Sequence, residues 1–185
     1  IKPIIGCEVY VAPGSRFDKQ KQPDGNYSHL VLLCENNEGY QNLIKLVSLG
    51  FTDGFYTRPR VDRELIEKYH TGLIALSACL AGEIPRAIMD GNYDKARDTA
   101  LWYKNLFGEK NFFLEVQNHG IAEQQTVNSY IQKLSRETGI PMVATNDVHY
   151  PNKDDSFMHK VLLCVQTGSK IGEQNALEFK TEEFY

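Results

Sequence analysis

Short apolar runs alternate with longer segments of helical periodicity along most of the chain. Five of these runs are rich in Val, Ile, Leu and Phe and are mostly apolar on both faces, as buried parallel strands tend to be. They predict strands at Ile4–Val11, His29–Cys34, Leu73–Ala78, Phe112–Gln117 and Met142–Thr145. Strands separated by helices in this order favour an α/β fold with a largely parallel sheet.

Amphipathic segments between these runs predict five helices, because apolar residues recur in them at spacings of three and four. The predicted helices are Glu38–Leu49, Asp62–Tyr69, Tyr93–Phe107, Ala122–Thr138 and Asp154–Leu163. We expect the side chain of Asp62 to cap the second helix. Gly139, followed by Pro141, is expected to end the fourth helix.

One connection between predicted strands lacks helical periodicity. The stretch between Val11 and His29 is rich in Pro, Gly and Asp and includes Pro-Asp-Gly-Asn at 23–26. We therefore expect a hairpin excursion flanked by antiparallel strands. Such a hairpin would make Glu8 and His29 neighbours, although 21 positions separate them.

Composition and charge narrow the class of protein. The 185 residues suit one domain of ordinary size, and 42% apolar with 24% charged residues excludes a disordered tail, a collagen-like chain and a coiled coil. No run approaches the ~18 apolar residues of a membrane span, so no membrane partner is expected. The net charge of −4 predicts that any contact with DNA is local or supplied by other parts of a larger protein.

The cysteines and the N-terminus indicate the compartment and the context of the chain. Four scattered cysteines form no CxxC pair: Cys7, Cys34, Cys79 and Cys164. A small secreted disulfide scaffold would carry more cysteines in a shorter chain, which favours the reducing cytoplasm. The chain starts at Ile1 without an initiator Met or a signal peptide, and we expect it to be a piece of a longer protein.

Residues that could carry chemistry lie at the ends of the predicted strands or within them. Asp147 and His149 follow an apolar strand, and residues two apart on an extended backbone point the same way. They could therefore share one ion at a strand end where α/β barrels hold ligands. Glu8 interrupts an apolar strand and His29 opens the next one. Cys79 follows the third strand, where a thiolate could be a nucleophile or a soft metal ligand.

Each of these five residues also has an ordinary structural explanation. An Asp that caps a helix beside a His on the surface would explain Asp147 and His149, the DxH pair, about as well. A lone Cys more often packs as a small apolar residue. Their convergence favours a metal centre, since mixed N, O and S donors suit Zn²⁺, Mn²⁺ or Fe²⁺ better than Ca²⁺ or Mg²⁺. More than four ligands would imply a multinuclear centre, whose natural chemistry is phosphate-ester hydrolysis.

Two further residues are candidates for contacts with phosphate. His119 lies just beyond the fourth predicted strand, and Arg60 belongs to an Arg-Pro-Arg cluster near a turn. Both also fit ordinary loop positions. His70 is expected to lie at the end of a helix, and His159 to have a structural role within one.

Five segments of the chain resemble a known family, the N-terminal PHP (polymerase and histidinol phosphatase) domain of the bacterial DNA polymerase III alpha subunit. The resemblance covers essentially the whole chain in order. The segments are Gly6–Arg16, Asn42–Ser48, Leu76–Ile84, Ala144–Tyr150 and Leu162–Gly168.

The resemblance implies part of a distorted (β/α)₇, TIM-like barrel with a metal cluster at the C-terminal ends of its strands. Of nine ligand positions in the family, five match residues already selected: Glu8, His29, Cys79, Asp147 and His149. An HxH pair, a following Asp and a further His precede these in the family and are absent here. We therefore expect residues 1–185 to be a partial PHP domain that lacks the first barrel strands and the polymerase palm and fingers.

The resemblance also implies a function. The family subunit carries out template-directed DNA synthesis in chromosomal replication, and its partners are DNA and other replicase subunits. The PHP domain itself would be a metal-dependent 3′–5′ proofreading exonuclease. Alternatively, it would be a scaffold that stabilises the polymerase and docks a separate proofreading exonuclease. A free-standing PHP phosphoesterase is a third interpretation, against which the polymerase-type segments argue.

Overall fold

The structure, a computed structural model, describes residues 1–20, 27–173, 179 and 181–185. Within these residues it has the alternating strands and helices of an α/β fold. The strands are β1 (Gly6–Val11), β2 (Ser28–Cys34), β3 (Arg60–Val61), β4 (Leu73–Leu76), β5 (Phe112–Val116) and β6 (Met142–Ala144). The helices are α1 (Asn37–Thr52), α2 (Arg63–Tyr69), α3 (Glu83–Met89), α4 (Tyr93–Phe107), α5 (Ala122–Thr138) and α6 (Ser156–Thr167), with a 3₁₀ turn at Lys153–Asp155.

The five predicted strands and five predicted helices are confirmed, with boundaries that differ by a few residues at most. Asp62 caps α2 by accepting a hydrogen bond from the backbone N–H of Leu65, and Gly139 ends α5 in the left-handed conformation. His70 follows α2 as its C-terminal cap. Two elements were not predicted, β3 and α3. Strand β3 has two residues, too few for apolar periodicity to show, and the seven-residue helix α3 begins without the side-chain cap that marks the equally short α2.

The sheet is mixed rather than largely parallel. Its strand order is β3-β1-β2-β4-β5-β6, and β2 runs antiparallel to both of its neighbours while the other three pairs are parallel. The predicted hairpin explains the difference, because it reverses β2 alone. The antiparallel pairing of β1 and β2 is confirmed, whereas the loop at 23–26 lies outside the described residues. The α/β class is confirmed, as an open six-stranded sheet.

Helices pack on the sheet through small and aliphatic side chains. Nine apolar core residues among those described have no measurable exposure: Leu32, Leu46, Ile66, Ala75, Ala96, Ala100, Leu114, Ile131 and Leu134. Burial of this kind contributes roughly 25 cal/mol per Å² of apolar surface and is the main stabilisation of the layers. Helix α1 approaches the turn before β4 so closely that a Cβ atom at Gly39 would lie 1.7 Å from the Gly72 carbonyl oxygen. The core therefore fixes the strand ends that carry the candidate residues.

No helix in the described ranges is long and apolar enough to cross a membrane. The four cysteines are free thiols.

Candidate metal centre

The β1–β2 hairpin brings the first two candidate ligands together. His29 lies opposite Tyr10 in the register and Glu8 lies diagonally from it on the same face. The Nδ1 atom of His29 is 2.5 Å from Oε1 of Glu8. The predicted proximity of Glu8 and His29 is therefore confirmed. Both side chains are only partly buried, so the pair opens toward solvent.

The corner after β4 brings Cys79 to the same place. The chain turns at Ala78, whose φ of 64° lies in the left-handed region that costs an L residue roughly 1–3 kcal/mol. The Sγ atom of Cys79 then lies 3.7 Å from Nδ1 of His29. Gly82 closes the corner, because a Cβ atom there would come within 2.2 Å of the Ser77 carbonyl oxygen. Strain at this position is typical of functional sites, where surrounding structure holds it in place.

The DxH pair follows β6. Asp147 has a φ of 44°. After Ala78, it is the second non-glycine residue of the candidate segments in the left-handed region. The Nδ1–H of His149 donates to the backbone carbonyl of Asp147 at 2.6 Å, which leaves Nε2 with its lone pair free for a metal. The imidazole packs against the rings of His159, Phe179 and Phe184. These contacts fix its orientation and give His159 the structural role expected for it.

Glu8 and His29 are near enough to Asp147 for their charges to affect its pKa. Burial raises the pKa of Asp147; His149, His119 and His29 counteract this in part, and the negative charge of Glu8 raises it further. Burial also raises the pKa of Cys79 to about 12, with Asp147 and Glu8 adding to the effect. In the absence of a cation, Cys79 is thus a neutral thiol among carboxylates, and a divalent cation would relieve their repulsion.

Glu115 is a buried carboxylate that the sequence pattern did not lead us to select. It lies near the end of β5 with 6% of its surface exposed, and its Oε1 accepts hydrogen bonds from Thr145 and Gln117. Its Oε2 atom is buried and has no hydrogen-bond partner among the described residues, and burial raises the pKa of the group. A carboxylate inside an apolar strand was the pattern that selected Glu8, and the same pattern in Phe-Phe-Leu-Glu-Val would have found Glu115.

Arg60 and His119, the candidate phosphate contacts, are both buried and bonded to protein groups. Arg60 is 1% exposed and donates to the backbone carbonyls of Gly54, Arg16 and Asp18. This arrangement does not fit a phosphate contact, because its donors hold the loop after β1.

His119 has no exposed surface at all. Its Nε2–H donates to the Asn146 carbonyl at 2.8 Å, and its Nδ1 accepts from Gln124 at 2.7 Å. The ring also stacks on Phe184 at 3.9 Å. It therefore supports the Asp147 segment instead of facing a ligand.

A cavity of about 430 Å³ adjoins the candidate residues. Cys79 and Asp147 form part of its wall, and most of the remainder is apolar. The apolar lining comes from Leu80, Ala81, Met89, Ile121, Phe179 and Phe184. A space of this volume accommodates a small organic group such as one nucleoside.

The donor types fit a divalent transition metal, since the five candidates supply carboxylate, imidazole and thiol groups. The unpartnered Oε2 atom of Glu115 adds a buried negative charge to the same region. However, over the described part of the chain no group of three or more His, Cys, Asp or Glu side chains is arranged to hold one ion. Glu8 and His29 instead lie at hydrogen-bonding distance from each other.

Comparison with known proteins defines the class. The sequence profile of the PHP domain matches residues 1–119. The chain belongs to the PHP domain family, whose members are generally metal-dependent.

Individual relatives agree with this assignment along the whole chain. It is 46% identical over its full length to the DNA polymerase III subunit alpha of Borreliella burgdorferi and to that of Deinococcus radiodurans. It is 45% identical to the same subunit of Thermus aquaticus. The resemblance to the PHP domain of this subunit is thereby confirmed. The chain spans between 14% and 16% of the length of these three relatives.

Proposed function

We propose that this chain is part of the PHP module of a replicative DNA polymerase subunit, and that the module removes nucleotides from the 3′ ends of DNA. One observation carries the proposal. Glu8 within β1, His29 near the start of β2 and Cys79 beyond β4 lie together. Nδ1 of His29 is 2.5 Å from Oε1 of Glu8 and 3.7 Å from Sγ of Cys79, and Asp147 is near enough for its charge to affect the pKa of Cys79. Such a mixed donor set fits a metal-dependent phosphoesterase.

The five candidate residues would hold Zn²⁺, Mn²⁺ or Fe²⁺. When bound, such an ion supplies an activated water and neutralises charge on the leaving 3′-oxygen. The protein contributes orientation, since the Asp147 carbonyl fixes the His149 ring with Nε2 available. The largely apolar cavity beside Cys79 would receive the terminal nucleoside.

We also propose that residues 1–185 are only part of the PHP domain. The family resemblance supports this, because it implies nine ligand positions and five of them match here. The remaining positions, together with the polymerase palm and fingers, would lie elsewhere in a full-length protein of the relatives' size. DNA and other replicase subunits are the partners that this assignment implies, with the cytoplasm as the compartment. A separate proofreading exonuclease would be a partner if the module is a scaffold instead.

A second candidate function is a scaffold without catalysis. It is favoured by helix α6, which exposes four large apolar side chains: Phe157, Met158, Leu162 and Val165, each at least 60% exposed. An apolar face of this kind is typical of a surface that packs against another protein or domain. A free-standing phosphoesterase has less support, because the 46% identity to polymerase subunits extends over the whole chain.

The experiment that tests the proposal uses the full-length protein that contains this chain. Excision of a 3′-labelled single-stranded DNA would be measured with Mn²⁺ or Zn²⁺, after chelation, and in a Glu8→Gln variant. We expect chelation and Glu8→Gln each to abolish excision. Glu109→Gln is the matched control, because the Glu109 side chain is 86% exposed. Excision that survives both chelation and Glu8→Gln would favour the scaffold.

A further inference from the structure

Glu115 lies between the two strands that lead to Cys79 and Asp147. In the sheet order, β5 is flanked by β4 on one side and by β6 on the other. Cys79 follows β4 and Asp147 follows β6, so a side chain at the end of β5 can contact both ligand segments. Glu115 makes contacts in both directions.

On the β4 side, Glu115 holds the corner that precedes Cys79. Its backbone N–H donates to Oγ of Ser77, the residue before Ala78, at 2.8 Å. Ala78 is the residue in the left-handed conformation. A strained corner persists only when its surroundings over-determine it, and this contact contributes to that constraint.

On the β6 side, Glu115 holds the segment that precedes Asp147. Thr145 donates its hydroxyl to Oε1 of Glu115, and Gln117 donates to the same oxygen at 3.1 Å and to the Thr145 hydroxyl at 3.3 Å. Thr145 is two residues before Asp147, whose own φ is strained. The carboxylate therefore joins β6 to β5 at the point where the DxH segment departs.

If packing were the only requirement at position 115, a buried carboxylate would be an unfavourable choice. Only 6% of Glu115 is exposed, and the contacts described above include no Lys or Arg. Within the part of the chain that the structure describes, its Oε2 atom has no hydrogen bond. Burying a charge in this way costs several kcal/mol, and an apolar residue of equal volume would avoid that cost. This unfavourable burial is explained if the carboxylate oxygen accepts hydrogen bonds that an apolar side chain could not accept.

We propose that Glu115 is a positioning residue, which sets the Cys79 and Asp147 segments at the separation that metal binding requires. The inference rests on the proposed metal site and adds to it a residue that binds no ion itself. Groups that orient metal ligands typically affect affinity by about 10–100-fold when they are removed. We expect an effect of this size at Glu115.

Cobalt binding to the full-length protein gives a readout independent of catalysis. A Co²⁺ ion bound to a thiolate has a charge-transfer absorption band, and Cys79→Ser identifies the part of the band that comes from this site. Glu115→Met, which keeps the volume and removes the acceptor, should weaken Co²⁺ binding by about 10–100-fold. Glu115→Gln retains an acceptor oxygen and should stay close to the wild-type affinity.

Thr145 supplies a second test that does not depend on the folding of Glu115→Met. Thr145→Val removes the hydroxyl donor at nearly constant shape and should weaken Co²⁺ binding, whereas Thr145→Ser should restore it. Asp62→Asn is the control for a buried carboxylate elsewhere, because Asp62 is 3% exposed and bonds to Arg16 and Leu65. It should lower the melting temperature and leave the cobalt affinity unchanged.

The outcomes separate this inference from the proposed function. If the wild-type protein shows no band that depends on Cys79, the metal site and the role of Glu115 are both overturned. If the band is present but Thr145→Val binds Co²⁺ as tightly as the wild type, the positioning role is overturned and the metal site stands. An equal loss of affinity in Asp62→Asn would also overturn it, because affinity would then follow general stability.

Discussion

Two clusters of charged side chains in this domain are built on opposite electrostatic principles. In the arginine cluster (Arg16, Arg60, Asp62 and Glu64), opposite charges meet directly. Arg16 Nη1 is 2.9 Å from Oδ1 of Asp62 and 3.0 Å from Oε2 of Glu64, and Asp62 also caps α2. Arg60 is bonded to backbone carbonyls of the adjoining loop. This cluster attaches the segment after β1 to the start of α2.

In the candidate metal centre, by contrast, acidic groups face one another. Burial is the main cause of the raised pKa values of Cys79 and Asp147, and the negative charge of Glu8 adds to both. The neighbouring Glu115 has a raised pKa as well, chiefly through burial. Such an arrangement destabilises the fold when no cation is bound, whereas paired charges do not. This difference supports the proposal that the arginine cluster serves structure and the metal centre serves chemistry.

The largest expected effect is the loss of excision in Asp147→Asn of the full-length protein. The substitution is nearly isosteric but removes the negative charge that a cation requires, so the excision rate should fall at least about 100-fold. The melting temperature should stay nearly constant, because removing one of several like charges costs the fold little. Excision, primer extension and thermal melting would be measured on the same preparation.

Asp154→Asn is the matched control for this experiment, since Asp154 is exposed in the 3₁₀ turn seven residues later. It should excise at the wild-type rate. If Asp147→Asn also excises at the wild-type rate, proofreading resides in a separate subunit and the scaffold function is favoured. A large drop in the melting temperature of Asp147→Asn would show that the metal centre, like the arginine cluster, contributes to the stability of the fold.

The arginine cluster should respond in the opposite way. Asp62→Asn leaves Arg16 buried without its main counter-ion, which should lower the free energy of unfolding of the domain by about 3 kcal/mol. Asn is as good a helix cap as Asp, so the change isolates the ion pair. Thermal melting gives the stability and the excision assay gives the activity of the remaining folded protein. Reduced excision with unchanged melting would contradict a structural role for this cluster.

The sequence predicts local elements well because their causes are local. Periodic apolar residues and the Gly139 stop placed helix α5 at its observed bounds, and a Pro/Gly-rich loop was enough to pair Glu8 with His29. What it missed depends on long-range packing. The two-residue strand β3 exists only because it pairs with β1, and the buried roles of Arg60 and His119 come from loops that fold over them.

The same limit applies to the site. Glu115 interrupts an apolar strand as Glu8 does, but no nearby residue in the sequence indicates its partner, because Thr145 lies thirty positions away. Glu8 was selected because it lies in an apolar strand. Its partner His29 lies in the same hairpin, so the local sequence was enough to pair the two residues. Only the order of β4, β5 and β6 in the sheet shows that Glu115 lies between two ligand segments.

A smaller, pH-dependent effect should mark the acidic character of the metal centre. Since burial raises the pKa of Glu115, the folded protein binds this proton more tightly than the unfolded chain does. The associated stability is present below the ordinary pKa of 4.5 and is lost as pH rises through the raised value. Glu115→Gln does not titrate there, so its melting temperature relative to the wild type should rise across this window. A difference that stays constant with pH would contradict a buried, destabilised carboxylate.

The smallest expected effect concerns the second carboxylate of the arginine cluster. Arg16 contacts Glu64 at 3.0 Å, almost the distance of its contact with Asp62, yet the Glu64 side chain is 74% exposed while that of Asp62 is 4% exposed. Solvent and salt screen an exposed pair, so Glu64→Gln should lower the free energy of unfolding by no more than about 0.5 kcal/mol. Melting in low and in high salt would check this, because the small loss should vanish in high salt. A loss as large as that of Asp62→Asn would mean that the number of charges, and not their burial, determines the strength of the cluster.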